Sequence, residues 1–330
     1  MPPIPRLPLR AVFKPVSDVE NANLTYFRQH HFQPNLPCVF PTGHFTSSIP
    51  AITQWFEPIK TWKRSNSALQ VNETYLDDEK CHNAKVTVEV TQVEDEGLGN
   101  EGKTFERTVL PLTLFIQWMQ AKLKRENQIE TTRLYVAQHS VADLPPTLQA
   151  DLPAPEYVRI AGKGDIYSSS VWMGVPPTHT PLHRDPNPNL FVQLAGAKVI
   201  RMLAPDHGRK ILEMAKAMAR SNPAGDMEWD GGWMGRGGGK IGSMGMNVRG
   251  EEMMVGEEGR LTEDVVWGGV QEKIVGNSFM GLEDKVEDAE EIEGVETRLG
   301  PGDGLFIPKG WWHSIKGVGD GVNASVSIFG

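Results

Sequence analysis

His183 and Asp185 stand two residues apart in TPLHRDPNPNLFVQL. On a strand that spacing turns both side chains to one face, so an imidazole and a carboxylate are offered together. A His-x-Asp triplet alone is common. Its meaning comes from a residue far downstream: His313 lies in GDGLFIPKGWWHSI, where a Gly-Pro-Gly-Asp turn launches one strand and a second, aromatic-rich strand carries the histidine. Two histidines and one carboxylate are the ligand set that holds non-heme Fe(II) on one side and leaves its other positions open. A closed structural zinc site would need a fourth protein ligand, and none is evident in the sequence.

Open metal positions call for a co-substrate, and a second set of residues suits 2-oxoglutarate. If that acid chelates the metal through its 1-carboxylate and keto oxygen, its far carboxylate is buried and needs a cation and hydrogen-bond donors. Lys198 is the natural cation: it heads KVIRML, across a Gly196 turn from NLFVQLA, within an otherwise apolar stretch. The plain alternative is an exposed hairpin lysine, since lysines are seldom buried. Thr180 shares the facing of its strand only loosely with His183, but a kink at Pro181 could bring its hydroxyl to the same carboxylate. Asn189, four residues after Asp185, has the parity to face inward. Tyr135, in RLYVAQHS, is a phenol among strand residues, and buried phenols seek a partner.

These residues need a scaffold of strands, and the sequence supplies one. From Arg133 onward short β segments separated by Gly, Pro and Asp follow one another: RLYVAQHS, YSSSVWMGV, TPLHRD, NLFVQLAG, KVIRMLAP, VETRLG, DGLFIP, WWHSIKGV and NASVSIF. Many short strands with such punctuation predict a sandwich or barrel. The series is interrupted between about His207 and Glu296. That stretch opens with a helical pattern, HGRKILEMAKAMARS, turns Gly- and Met-rich, and closes in an acidic run. Its composition predicts a long, partly disordered excursion with no core of its own, and the acidic run reads as a solvated face. Residues 1–132 form an N-terminal extension packing on the barrel, and 133–330 form the barrel itself. In the extension, Ser17 and Glu20 make a capping box for a helix to about His31. PCVFPT and KVTVEVTQ read as strands, residues 49–62 as a helix interrupted at Pro58, and EDEGLGNEG as a polar loop. LPLTLFIQWMQAKLKREN reads as a helix with Leu112, Phe115, Ile116, Met119 and Leu123 on one stripe.

Composition narrows the function. A formal charge of -9 argues against nonspecific affinity for nucleic acid or anionic membranes. Two distant cysteines, Cys38 and Cys81, give neither a disulfide framework nor a zinc knuckle. The start, MPPIPRLPLRAVF, is broken by four prolines and lacks the apolar run of a secretory signal. No stretch is apolar and long enough to span a bilayer. A soluble protein of the cytoplasm, the nucleus or both is expected. His139 reads as a core histidine, and the other histidines have no partner at ligand spacing. The Met cluster at Met244, Met246, Met253 and Met254 reads as adaptable packing rather than a copper site.

The stretches LYVAQHSVADLP, SVWMGVPPTHTPLHRDPNPNLFVQLAGAKVIRMLAP, GPGDGLFIPKGWWHSI and NASVSIF resemble the JmjC-domain hydroxylases of the cupin superfamily. The resemblance is greatest to small JmjC proteins that modify side chains of other proteins, and it covers Tyr135 through Phe329, about 60% of the chain. It implies a mainly β fold with flanking helices, a double-stranded β-helix or jelly-roll of the cupin/JmjC type, here with a long Gly-rich insertion. It implies an Fe(II) site at His183, Asp185 and His313, with 2-oxoglutarate and O2 as co-substrates. Contacts to 2-oxoglutarate are implied from Tyr135, Gln138, Thr180, Asn189 and Lys198, and Trp172 matches an aromatic lining the substrate pocket. Histone demethylases of the superfamily commonly carry Glu as the carboxylate ligand and append chromatin-reading modules, whereas this chain has Asp185 and no reader signature. The expected activity is therefore hydroxylation of a side chain on a protein or peptide substrate. A tRNA-nucleoside hydroxylase, a histone demethylase and a non-catalytic cupin-like binding module are the alternatives. A metal-dependent isomerase on the same barrel would not need the cluster of Lys198, Tyr135 and Thr180. Some relatives dimerise through C-terminal helices that do not follow the last expected strand here, so a monomer is expected.

Overall fold

The computed structural model describes residues 6–20, 22–59, 68–76, 81, 84–95, 101–124, 132–161, 164, 166–221, 257–268 and 289–330. Its strands are β1 Leu9–Pro15, β2 Cys38–Val39, β3 Phe56–Pro58, β4 Leu69–Val71, β5 Lys85–Asp95, β6 Glu101–Pro111, β7 Thr132–Ser140 and β8 Ser168–Gly174. They continue with β9 Thr178–Arg184, β10 Asn189–Ala195, β11 Ala197–Leu203, β12 Glu290–Leu299, β13 Gly304–Ile307, β14 Trp312–Val318 and β15 Asn323–Phe329. One sheet has the order β1-β12-β11-β14-β9 and the other β2-β13-β10-β15-β8-β7-β5-β6. From β8 to β15 the chain passes back and forth between the two sheets, with β8, β10, β13 and β15 in one and β9, β11, β12 and β14 in the other; only at β11 and β12 do consecutive strands share a sheet. That winding is the jelly-roll expected from the punctuated strands.

Strand period places the chemistry. On β10, Leu190, Val192 and Leu194 belong to the largest apolar cluster, which they share with Phe27, Phe40, Trp55, Phe115 and Met119 of the N-terminal extension. The alternate residues Asn189, Phe191 and Gln193 are buried on the other face, between the two sheets. There a smaller apolar cluster unites Phe191 with Ile200, Met202, Leu305 and Ile315. Most of this N-terminal stretch therefore covers the outside of one sheet, while Val16 joins the cluster between the sheets. The Leu112–Lys124 helix belongs to this cover, and all five stripe residues named above are buried.

Several expectations need correction. The capping box at Ser17 does not form: the Ser17 carbonyl accepts from Val39 N–H at 3.0 Å, so pairing with β2 prevails over a local cap. The helix starts at Leu24 instead, capped by Asn23, whose Oδ1 accepts from Thr25 N–H at 2.8 Å. The proline-rich start contains β1, which pairs in parallel with β12. Among the described residues of 49–62 only Ala51–Gln54 is α-helical, because Phe56–Pro58 pairs with β4.

In the stretch read as an insertion, the first helix runs Pro205–Ser221 and a second, unanticipated one runs Glu257–Trp267. Ile211 and Ala215 pack with Leu261, Val265 and Val266 into a cluster that also takes in Leu9, Leu182 and Trp312, so this segment does contribute a core. Glu263 pins the second helix to the five-stranded sheet through His179 at 3.1 Å and Lys316 at 3.2 Å. The acidic run ends inside β12, where Glu290, Glu293 and Glu296 pair with Lys210, Lys14 and Arg201. The Gly- and Met-rich stretch and residues 96–100 lie outside the described residues, while the two ends of the segment read as a polar loop, EDEGLGNEG, are strand in β5 and β6. No described helix is long and apolar enough to cross a membrane.

Candidate functional site

β9 and β14 run antiparallel with His183 directly opposite His313, and the two rings lie 4.1 Å apart between centroids. Each ring is held by a carbonyl two residues earlier in the chain: His183 Nδ1 lies 2.8 Å from Pro181 O, and His313 Nδ1 lies 3.2 Å from Trp311 O. A carbonyl can only accept, so each Nδ1 carries the proton and each Nε2 keeps its lone pair for another partner. Asp185 follows the end of β9, and its Oδ2 is 3.5 Å from His313 Nε2. One ligand atom from each of the three residues falls within 4.8 Å of the others, close enough to share one metal ion. Burial, and then the neighbouring His183, push the His313 pKa down to about 4. The imidazole is thus neutral near pH 7, the form that ligates metal.

A second polar group lies further along the same interior. Lys198, Ile200 and Met202 alternate inward on β11, and Met202 stands opposite His313. Lys198 is 2% exposed. Its Nζ donates to Ser325 Oγ at 2.7 Å and to Tyr135 OH at 3.3 Å, and it sits 5.3 Å from the Phe191 ring centroid. Among the described residues no carboxylate pairs with it. Burial alone lowers its pKa to about 7, as desolvation without a counter-charge must. The exposed-hairpin alternative for Lys198 is thereby removed.

Asn189 Nδ2 reaches Asp185 Oδ2 and Ser327 Oγ, each at 3.4 Å, while its buried Oδ1 has no partner. Trp172, on β8 opposite Ser325, likewise has a buried Nε1 without a partner, and its ring lies 6.2 Å from that of Tyr135. Gln138 sits where the β7–β8 register shifts, at φ +51°; a bulge of this kind re-aims side chains. Thr180 is buried opposite Ile315, and its carbonyl accepts from Ser314 Oγ at 2.9 Å, but no hydrogen bond joins it to Lys198.

Sequence reading missed Ser325, Ser327 and Gly174. The signal for the serines was present in NASVSIF, where Asn323, Ser325 and Ser327 alternate with Ala324, Val326 and Ile328. A Cβ at Gly174 would stand 2.7 Å from the Tyr135 ring, so glycine is what lets the phenol lie against β8.

Three ligands on one face, with unpaired polar atoms and a buried cation beyond them, fit a divalent metal that shares its coordination with an acidic co-ligand. Residues 24–329 match the family model for the Cupin-like domain. Over 78 residues, 23% of this chain and 19% of the relative, the sequence is 35% identical to Lysine-specific demethylase 8 of Danio rerio. Over 98 residues, 30% and 22% respectively, it is 32% identical to Lysine-specific demethylase JMJ30 of Arabidopsis thaliana. Over 73 residues, 22% and 18%, it is 34% identical to Jumonji C domain-containing protein 5 of Drosophila melanogaster. The aligned stretches span about a fifth of the length of these relatives. With a family match that runs from the first helix to the last strand of the jelly-roll, the chain belongs to the Cupin-like domain family.

Proposed function

We propose that this protein is an Fe(II)- and 2-oxoglutarate-dependent oxygenase that hydroxylates a side chain of a protein substrate. The observation that carries the reading is Lys198, a buried cation with no counter-charge among the described residues, in the same interior as a three-ligand metal face. Lys198 lies four residue steps along β11 from Met202, the position opposite His313, roughly 13 Å at about 3.3 Å per step. A lysine side chain and a five-carbon diacid together bridge that interval.

In this reading His183 Nε2, His313 Nε2 and the Asp185 carboxylate hold the metal. Lys198 Nζ, with Tyr135 OH and Ser325 Oγ beside it, receives the far carboxylate of 2-oxoglutarate. Bound there, Fe(II) with 2-oxoglutarate and O2 supplies the oxidising power to hydroxylate an unactivated C–H bond. Asn189 braces the Asp185 carboxylate and presents its free Oδ1 to the pocket. Trp172 offers an unpaired N–H toward the substrate side, and the Phe191, Ile200 and Ile315 side chains keep bulk water from the interior.

The names of the Danio and Arabidopsis relatives favour a second reading, removal of a methyl group from a lysine. The two differ in product. Protein loaded with Fe(II) under anaerobic conditions is given 2-oxoglutarate and O2 with peptide pools and, separately, RNA pools, and succinate and substrate mass are followed. Succinate release coupled to a gain of one oxygen on a peptide supports the proposal. Loss of a methyl from lysine moves the assignment to demethylation, and coupling to RNA alone overturns the protein substrate. Metal-loaded protein that never forms succinate is a binding module.

A further inference from the structure

The loop between β13 and β14 touches two of the three proposed ligands. Gly310 N–H donates to the Asp185 carbonyl at 3.3 Å, and the Trp311 carbonyl accepts from His313 Nδ1 at 3.2 Å. What grips this loop comes from the opposite end of the sequence. Asn35 Nδ2 donates to the Lys309 carbonyl at 3.1 Å, and Trp311 Nε1 donates to the Asn35 carbonyl at 3.0 Å. The Lys309 carbonyl and the Gly310 N–H are the two ends of one planar amide. A single line of hydrogen bonds therefore runs from the Asn35 side chain through that amide to the Asp185 backbone, each bond polarising the next. The second bond runs from the Asn35 carbonyl through the Trp311 indole, whose residue also supplies the carbonyl that orients His313.

The backbone at Asn35 is shaped for this task. It sits at φ +59°, in the left-handed region that Asn tolerates better than most residues. The turn is fixed from behind by Asn35 N–H to Phe32 O at 3.2 Å and Leu36 N–H to His31 O at 2.9 Å. Both the side chain and the carbonyl of one residue are thereby aimed at the same loop.

We infer that Asn35 is a positioning residue for the metal centre, by which the N-terminal extension sets the loop that aligns Asp185 with His313. The inference rests on the metal-site reading above, and cobalt titration separates the two. Wild-type protein, Asn35→Asp, Asn35→Gly and Trp311→Phe are titrated with Co(II) while affinity, the visible cobalt spectrum and the thermal midpoint are recorded. Asn35→Asp keeps size and backbone tolerance but turns an acceptor toward the Lys309 carbonyl; Asn35→Gly keeps the left-handed backbone and the carbonyl acceptor.

The expected result is a loss of about 3- to 10-fold in Co(II) affinity for Asn35→Asp with a changed spectrum, below the roughly 10- to 100-fold typical of groups bonded directly to a ligand side chain. Asn35→Gly loses less, and remains the informative variant should Asn35→Asp fail to fold. Variants that lower the thermal midpoint but leave cobalt affinity and spectrum unchanged overturn the inference and make Asn35 a purely structural bond. Wild-type protein that binds no Co(II) overturns the metal-site reading itself.

Discussion

β15 separates two interiors by the thickness of one backbone. Ala324, Val326 and Ile328 enter the large apolar cluster shared with the N-terminal extension, while Asn323, Ser325 and Ser327, equally buried, face the space between the sheets. On the first side the residues of β15 are apolar and their burial itself stabilises, by about 1.5 to 3 kcal/mol for a Val- or Ile-sized side chain. On the second side burial opposes stability, since Lys198 loses its hydration and gains only two hydroxyls and an aromatic face. Elsewhere the protein shows how a buried charge is settled when it has no ligand to wait for. Asp151 accepts from Trp55 Nε1 and from Tyr75 OH, each at 2.8 Å, and braces the extension. Asn189 Oδ1 and Trp172 Nε1 have no such closure among the described residues, which is the mark of a pocket shaped for something else.

The sharpest break in the comparison is at the metal face. His183→Ala or Asp185→Ala is expected to abolish succinate formation while leaving the thermal midpoint nearly unchanged, because neither side chain belongs to an apolar cluster. Activity assays with calorimetry on the same samples check this; turnover near the wild-type rate in both variants would place the metal elsewhere.

Lys198→Met comes next. It keeps apolar bulk and removes the cation, so 2-oxoglutarate binding to Co(II)-loaded protein should weaken by about a hundredfold or more, reflecting the several kcal/mol lost when one partner of a buried ion pair is removed. The ligand-free protein should become more stable, because a desolvated amine is gone. A variant that binds 2-oxoglutarate normally would reduce Lys198 to a packing residue.

How far this division could be read from the sequence depends on which residues carry it. His183 and Asp185 are legible because strand period alone sets their shared face, and Lys198 because it is a lone charge among apolar neighbours. Ser325 and Ser327 are not, since small polar residues alternating with apolar ones describe a solvent-facing strand equally well; only the covering sheet makes them interior. β1 escaped notice because prolines flank it and its partner, β12, lies about 280 residues away. The Glu257–Trp267 helix was lost in the average composition of the stretch around it. Asn35 had no local signal, as its partners are 274 and 276 residues distant.

pH offers a way to sharpen the comparison without mutation. The folded pKa of Lys198, about 7, lies below its ordinary value, so between pH 7 and about 10.5 the unfolded chain binds more protons than the folded one. The desolvation penalty is then full below pH 7 and fades as pH rises toward 10.5, so ligand-free wild-type protein gains stability over that window relative to Lys198→Met. In the proposed function 2-oxoglutarate binding needs the charged amine, so its affinity should fall above pH 7 by up to about tenfold per unit. Parallel pH profiles of the two proteins would show the lysine is not the titrating group.

The smallest effect, and the closest comparison, sets two neighbours on β15 against each other. Val326→Ala removes two methyl groups from the outer cluster, where the neighbours cannot fully collapse, and should cost about 1 to 2.5 kcal/mol of stability. Its side chain does not face the pocket, so 2-oxoglutarate affinity should stay within about twofold of wild type. Ser325→Ala removes the 2.7 Å acceptor of the Lys198 ammonium. A hydrogen bond to a charged group contributes about 1.5 to 3 kcal/mol, but Tyr135 OH remains beside the amine and the incoming carboxylate can take up the freed N–H. The expected loss in 2-oxoglutarate affinity is therefore only about 3- to 10-fold, with little change in unfolding free energy at pH 9, where the amine is largely neutral. Calorimetric titration and denaturant unfolding of both variants separate the two faces. If Ser325→Ala destabilised the fold as much as Val326→Ala and left binding untouched, the inner face of β15 would be a core like the outer one.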